Sequence, residues 1–170
     1  DSDGDGSIAV EVGGDDCDDN NPQVYPIRLV INLTQGAVLD PSPPFMHDGG
    51  VVWSASDGHD REIFHFNGKS VLQLTHNSVE DTNPRTHSHR IVWEREEGDT
   101  TSIMFFDGYV LKALPSSEGG HHPQVWGPYV TWLSGSSGLY QIWLWNEEQQ
   151  QASQVTTTPI SDTDYRLAGG

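Results

Sequence analysis

Apolar residues along this chain fall in short alternating runs, broken by glycine- and aspartate-rich turns, and the runs themselves recur. Trp53, Trp93 and Trp132 are spaced by 40 and 39 residues. Pro44, Pro84 and Pro123 stand nine positions before these tryptophans, Ile63, Ile103 and Ile142 ten after, and Phe66, Phe106 and Trp145 thirteen after. Val51-Val52-Trp53, Ile91-Val92-Trp93 and Val130-Thr131-Trp132 are equivalent, and Leu74-Thr75, Leu114 and Val155-Thr156 close the successive units. Asp40, Asp81 and Asp162 follow Leu33, Leu74 and Val155 by seven residues each. So many columns in one register define an internal repeat, and the repeat governs how each segment is read.

Each unit predicts four short strands. In the first they fall at Phe45–His47, Val51–Ser56, Glu62–Asn67 and Val71–Thr75, rich in β-branched and aromatic residues. Asp48-Gly49-Gly50, Asp57-Gly58 and Asn67-Gly68 supply turns. Asn-Gly is a hairpin signal because both central residues of a type I′ turn need positive φ. In the third unit Glu147-Glu148-Gln149-Gln150-Gln151 replaces that tight turn, which predicts a longer hairpin. No segment carries a helical period. A four-stranded antiparallel unit returning near every 40 residues has the pattern of a propeller blade.

The run Asp81-Thr82-Asn83-Pro84, an apolar strand ending in Trp93, Gly98, then Ile103-Met104-Phe105-Phe106-Asp107-Gly108 resembles the TolB-type propeller repeat. The first unit carries more of it: Val51-Val52-Trp53-Ser54, Asp57-Gly58, Glu62-Ile63-Phe64, Asn67-Gly68 and Leu74-Thr75. The resemblance covers roughly residues 28–170. It implies an all-β fold, a partial β-propeller of about three four-stranded antiparallel blades, TolB-like, at about 44–76, 84–115 and 123–157. A strand of a closing blade is expected at 28–34 and the start of a further blade at 162–170. A six-bladed ring needs roughly 240 residues at this period, more than residues 28–170 supply. The expectation is therefore a longer parent chain, or copies or partners that complete the ring. Such a resemblance speaks for fold and little for activity.

Charge adds a second region. Asp and Glu number 25 against 8 Lys and Arg, a net charge of −17. That balance argues against nucleic acid and against an anionic membrane surface, and no apolar run is long enough to insert in a bilayer. Eight acids fall within the first 19 residues, and the first basic residue is Arg28, which marks residues 1–27 as an acidic leader. Asp1-Ser2-Asp3-Gly4-Asp5-Gly6 matches the front of a calcium loop, with oxygens at alternate positions and glycine at the turn. Val12 stands where an EF-hand requires Glu, and Ala9 to Gly14 is not helical, so a standard EF-hand is not expected. With the cluster Asp15-Asp16-Cys17-Asp18-Asp19-Asn20-Asn21-Pro22, the leader resembles the thrombospondin type 3 acidic repeats of secreted proteins. The resemblance implies Ca²⁺ held by Asp1, Asp3, Asp5, Asp16 and Asp18, and an extracytoplasmic location: secreted, periplasmic or cell-surface. A merely solvated acidic tail is the plainer account. Cys17 is the single cysteine, so no internal disulfide forms, whereas that family pairs its cysteines. Beginning at Asp1, the chain reads as a processed or excised form.

Candidate chemistry elsewhere is sparse. His87 and His89 share a strand face in the second unit, His121 and His122 open the third, and all four are candidate ligand-binding residues if the blade entrances converge. Polar residues at loop and channel positions are the plainer reading. The Trp and Phe columns read as core. Trp126 and Trp143 lie outside the Trp53 column, where exposed rings can stack on sugars, although core packing is the simpler account. Ser134-Gly135-Ser136-Ser137-Gly138 reads as a flexible turn and not a nucleophile elbow. Asn32-Leu33-Thr34 fits a glycosylation sequon within the expected 28–34 strand. The function expected is that of a secreted or cell-surface calcium-binding propeller module, non-catalytic, acting in protein or glycan binding or in assembly through self-association. The alternatives are a fragment of a larger propeller enzyme, a hydrolase or lyase, and a structural subunit of an extracellular fibre or complex.

Overall fold

Strand-forming runs separated by Asx and glycine turns build three antiparallel meanders in the computed structural model of the chain. The structure describes residues 32–34, 36, 38–136 and 138–161. The chain divides into two units, Asp1–Leu33 and Thr34–Gly170, and every described strand belongs to the second. The first sheet holds β1 (Phe45–His47), β2 (Gly50–Ser56), β3 (Arg61–Phe66) and β4 (Val71–Gln73). The second holds β5 (Glu80–His87), β6 (Arg90–Glu97), β7 (Thr100–Phe106) and β8 (Leu111–Ala113). The third holds β9 (Gly120–Trp126), β10 (Tyr129–Ser136), β11 (Leu139–Asn146) and β12 (Gln151–Gln154). No helix occurs among the described residues. The expected strands of the first unit match within a residue or two. The expected edge strand over 28–34 shows no strand at residues 32–34, and its remainder, like 162–170, lies outside the described residues.

Sheet register repeats with the sequence: Trp53 faces Phe64, Trp93 faces Met104 and Trp132 faces Trp143 across the central strand pairs. β5 packs on β1, β2 and β3, and β9 packs on β5, β6 and β7. The first strands β1, β5 and β9 thus neighbour one another in turn, as the inner strands of successive blades do. The described residues form a three-bladed segment of a β-propeller.

Period-two alternation sends adjacent side chains to opposite faces of a strand, and both faces of the middle blade are apolar. Ile91, Trp93 and Met104 join Val52 and Ile63 between the first and second blades. Val92, Ile103 and Phe105 join Val130, Trp132 and Trp145 between the second and third. Trp143 adds to this second core, stacked 6.2 Å from Trp132.

The recurring Leu-Thr pair has a hydrogen-bonding role. The amides of Leu74, Leu114 and Val155 donate to the carbonyls of Ile63, Ile103 and Ile142 at 2.7, 2.9 and 2.8 Å. The hydroxyls of Thr75 and Thr156 accept from the Ile63 and Ile142 amides, both at 2.9 Å. Pro115 follows Leu114 in the second blade, and Ser117 takes over, accepting from the Ile103 amide at 3.1 Å. Each outer strand is thereby tied to the middle of its blade after the ladder ends.

The turns differ from expectation in one respect. Positive φ at both central residues occurs at Asp48 and Gly49, at 48° and 76°, between His47 and Gly50. Asn67-Gly68 instead opens a four-residue loop, in which Asn67 Oδ1 accepts from the Lys69 and Ser70 amides at 3.0 Å each. Asp107 and Asn146 cap the matching loops in the same way. In the third blade the pairing Trp145–Ala152 replaces Phe66–Val71, so that hairpin is two residues longer, as expected.

Asp81 is the polar hub between the first two blades. Its fully buried carboxylate accepts from Trp93 Nε1 at 2.8 Å, from Arg95 Nε and Nη2 at 2.9 Å each, and from Asn77 Nδ2 at 2.8 Å. Gly120 holds the equivalent position in the third blade, where a Cβ would lie 2.7 Å from the Ser117 carbonyl oxygen, 2.8 Å from Ile103 Cγ1 and 2.9 Å from Trp132 Cδ1.

Two stability predictions follow from this packing. Asp81→Ala strands a half-buried guanidinium, an indole N–H and an amide, and should lower the denaturant unfolding free energy by about 3–5 kcal/mol. Gly120→Ala overpacks a site bounded partly by backbone and should cost about 1–3 kcal/mol in the same measurement.

Candidate binding site at the inner strands

The inner strands end in a row of flat side chains. His47, His87 and Trp126 each stand six residues before the tryptophan of their own unit, so the repeat brings them to the same level at the ends of β1, β5 and β9. The His47 and His87 rings stack with centroids 4.1 Å apart, inclined by 29°. Trp126 lies 4.3 Å from His87, and 5.7 Å from His47 in an edge-on arrangement. Each ring is held by the next blade: the Ser88 amide donates to His47 Nδ1 at 3.4 Å, and the Gly127 amide to His87 Nδ1 at 3.3 Å. An accepting Nδ1 leaves the proton of neutral His87 on Nε2. Asp48 Oδ2 accepts from Ser88 Oγ at 3.0 Å and lies 3.2 Å from His47 Nδ1.

Burial lowers the His87 pKa below its ordinary value; nearby His47 and Arg90 push the same way and Asp48 opposes them. One layer along the same strands, at eight residues before each tryptophan, stand Phe45, Arg85 and Gln124. The Arg85 guanidinium sits 5.3 Å over the Phe45 ring, and burial pushes its pKa down against the pull of Glu94. Glu94 Oε1 binds the bulges of two blades, accepting from Asn83 Nδ2 at 3.1 Å and from the His122 amide at 2.7 Å. Asn83 and His122 take positive φ, 51° and 54°, where the inner strands slip register by one residue.

The four expected histidines do not converge. His87 joins the row, with His47 as its partner. His89 occupies the β5–β6 turn beside Gly108. His121 lies edge-on to Tyr140 at 6.3 Å, and His122 is exposed at its bulge. The reason is direction: His121 and His122 open β9, whereas His87 closes β5, and inner strands of successive blades run alike. Four to five residues at about 3.3 Å each separate the two levels. The signal that finds His47 is the column itself, since it shares the −6 position with His87 and Trp126 despite the change of residue type. The expected calcium ligands Asp1, Asp3, Asp5, Asp16 and Asp18 lie outside the described residues.

Chemically, the row presents ring faces and edges beside a carboxylate and a hydroxyl. Trp126 is 39% exposed, and Met46 and Tyr129 are exposed at the same end of the inner hairpins. Aromatic and methionine side chains at an exposed concentration of this kind are the residue types enriched at recognition surfaces.

Neither a known family profile nor a curated protein sequence matches the chain. Among solved structures, the tricorn protease is similar over 71% of this chain and 17% of that one, at 10% identity and a TM-score of 0.30. The chain thus spans under a fifth of that protein's length. The assignment to the propeller class rests on the three meanders and their packing; among the described residues these define a partial β-propeller.

The histidine environment predicts a pH response. A lowered pKa means the folded state binds the His87 proton less readily than the unfolded state, so this contribution is complete above about pH 6.5 and is lost as pH falls below it. His65, also lowered by burial, adds the same sign. The thermal midpoint should fall between about pH 7.5 and 5.5, and His87→Gln should flatten part of that slope in a melting series.

Proposed function

We propose that this chain is a non-catalytic, TolB-like propeller module that works outside the cytoplasm and binds a protein or glycan partner through the exposed end of its inner strands. The observation that carries this reading is the His47–His87–Trp126 row, three rings in mutual contact with an exposed indole at one end. A row of ring faces suits a flat apolar partner, such as an aromatic side chain or the face of a sugar ring, and Asp48 and Ser88 offer polar contacts at its rim. Large aromatic anchors ringed by polar groups carry most of the binding energy at such surfaces. The acidic leader, with Ca²⁺ on Asp1, Asp3, Asp5, Asp16 and Asp18, would stiffen the approach to the blades, and the net charge of −17 favours partners that are not polyanionic.

The test is a glycan microarray and a panel of purified extracellular proteins, both probed with the fluorescent full chain. A bound ligand should lose at least about tenfold in affinity with Trp126→Ala. Tyr109→Ala, exposed in the β7–β8 loop, should leave affinity unchanged. A ligand held equally well by Trp126→Ala and His87→Ala, or turnover of a probe, would refute the proposal.

A further inference from the structure

The turn between β2 and β3 and the start of β3 gather three carboxylates, a set that the matching positions of the other two blades do not repeat. Asp57, Asp60 and Glu62 each offer an oxygen, and the three oxygens lie within 4.8 Å of one another. Asp57 follows β2 directly, and its Oδ1 accepts from the His59 amide at 3.0 Å while its own amide donates to the Asp60 carbonyl at 3.3 Å. Asp60 and Glu62 then fall on one face of the chain entering β3 by period two. Glu62 is fully buried, with Oε1 accepting from the Asn77 amide at 2.7 Å. Asp60 is only 8% exposed, yet neither of its carboxylate oxygens has a hydrogen-bond partner. Arg61, next in sequence, is bonded to Asp40 and the Ser54 carbonyl, and Arg95 is bonded to Asp81.

The repeat supplies its own control. The same three positions are Glu97, Thr100 and Ser102 in the second blade, and Ser136, Leu139 and Gln141 in the third. Those blades keep the same register between their central strands without the acidic set, so strand geometry does not call for it. A buried carboxylate with no partner is costly, and a cation is the compensation that the described residues do not supply.

We propose that Asp57, Asp60 and Glu62 of the first blade form a site for a hard divalent cation, Ca²⁺, separate from the leader. The donor set is all oxygen, which suits a hard ion and not a soft transition metal. Oxygens bound to one Ca²⁺ at 2.3–2.6 Å lie no more than about 5 Å apart, the spacing found here. Solvent reaches the site on the Asp57 side, where water completes the coordination.

The test uses the full chain, melted in EDTA and in Ca²⁺, beside Asp60→Asn, Glu62→Gln and the leader variant Asp3→Ala/Asp5→Ala. In the wild type, Ca²⁺ at about a hundredfold its dissociation constant should raise the midpoint by about 5 °C or more. Asp60→Asn should lose most of that rise, and in EDTA it should melt no lower than the wild type, because a repelling charge is gone. The leader variant should keep the rise. Calorimetric stoichiometry gives a second readout, with one Ca²⁺ site lost in Asp60→Asn and Glu62→Gln. Mg²⁺ should substitute poorly. Absence of any Ca²⁺-induced rise in the wild type, an equal rise in Asp60→Asn, or loss of the rise in the leader variant alone would overturn the proposal.

Discussion

Each blade is a thin sheet that must be covered on both faces, and this constraint organises the protein. Alternation along β6 sends Ile91 and Trp93 toward the first blade and Val92 toward the third. No single sheet can bury both sets alone, so stability comes from stacking neighbours, as in other repeat architectures. Trp93 and Trp132 each fill the space between their own blade and the one before. Where Trp132 leans on the start of β9, nothing larger than Gly120 fits.

Close stacking brings polar atoms into the interior, and the blades answer differently. Trp93 Nε1 finds Asp81, while the indole nitrogens of Trp53 and Trp132 are buried without a hydrogen-bond partner. The carboxylate of Asp81 also gathers Arg95 and Asn77, so one residue accepts four hydrogen bonds from three side chains. The lengthened third hairpin serves the same end from outside. Glu147 reaches Arg90 of the second blade at 2.6 Å, and Gln150 reaches Lys112, which itself lies 4.9 Å over Trp145. The departure from the repeat is thus a clamp between blades.

Candidate function gathers where packing leaves the repeat free to vary. The core columns hold the same kind of residue in every unit. The −6 column carries His47, His87 and Trp126, and the first blade carries Asp60 and Glu62 where the second has Thr100 and Ser102 and the third Leu139 and Gln141. Side chains at strand ends and turns escape the two-sided packing constraint, and there a regular scaffold can hold irregular chemistry.

The period, the strands and the all-β architecture were legible from the tryptophan columns, because side-chain alternation and turn chemistry are local and each unit restates them. The extra length of the third hairpin was legible for the same reason, from Glu147 to Gln151. The conformation of Asn67-Gly68 was not, since the four-residue loop is set by the pairing of β3 with β4 and the Asn67 side chain caps it. His87 was picked out but given the wrong companions: strand direction decides which end of β9 meets which end of β5, and a histidine count carries no direction. Asp60 reads as an ordinary turn acid in the sequence. Its burial beside Glu62 without a hydrogen-bond partner appears only in the folded chain, because burial and pairing depend on neighbours that sequence position does not name.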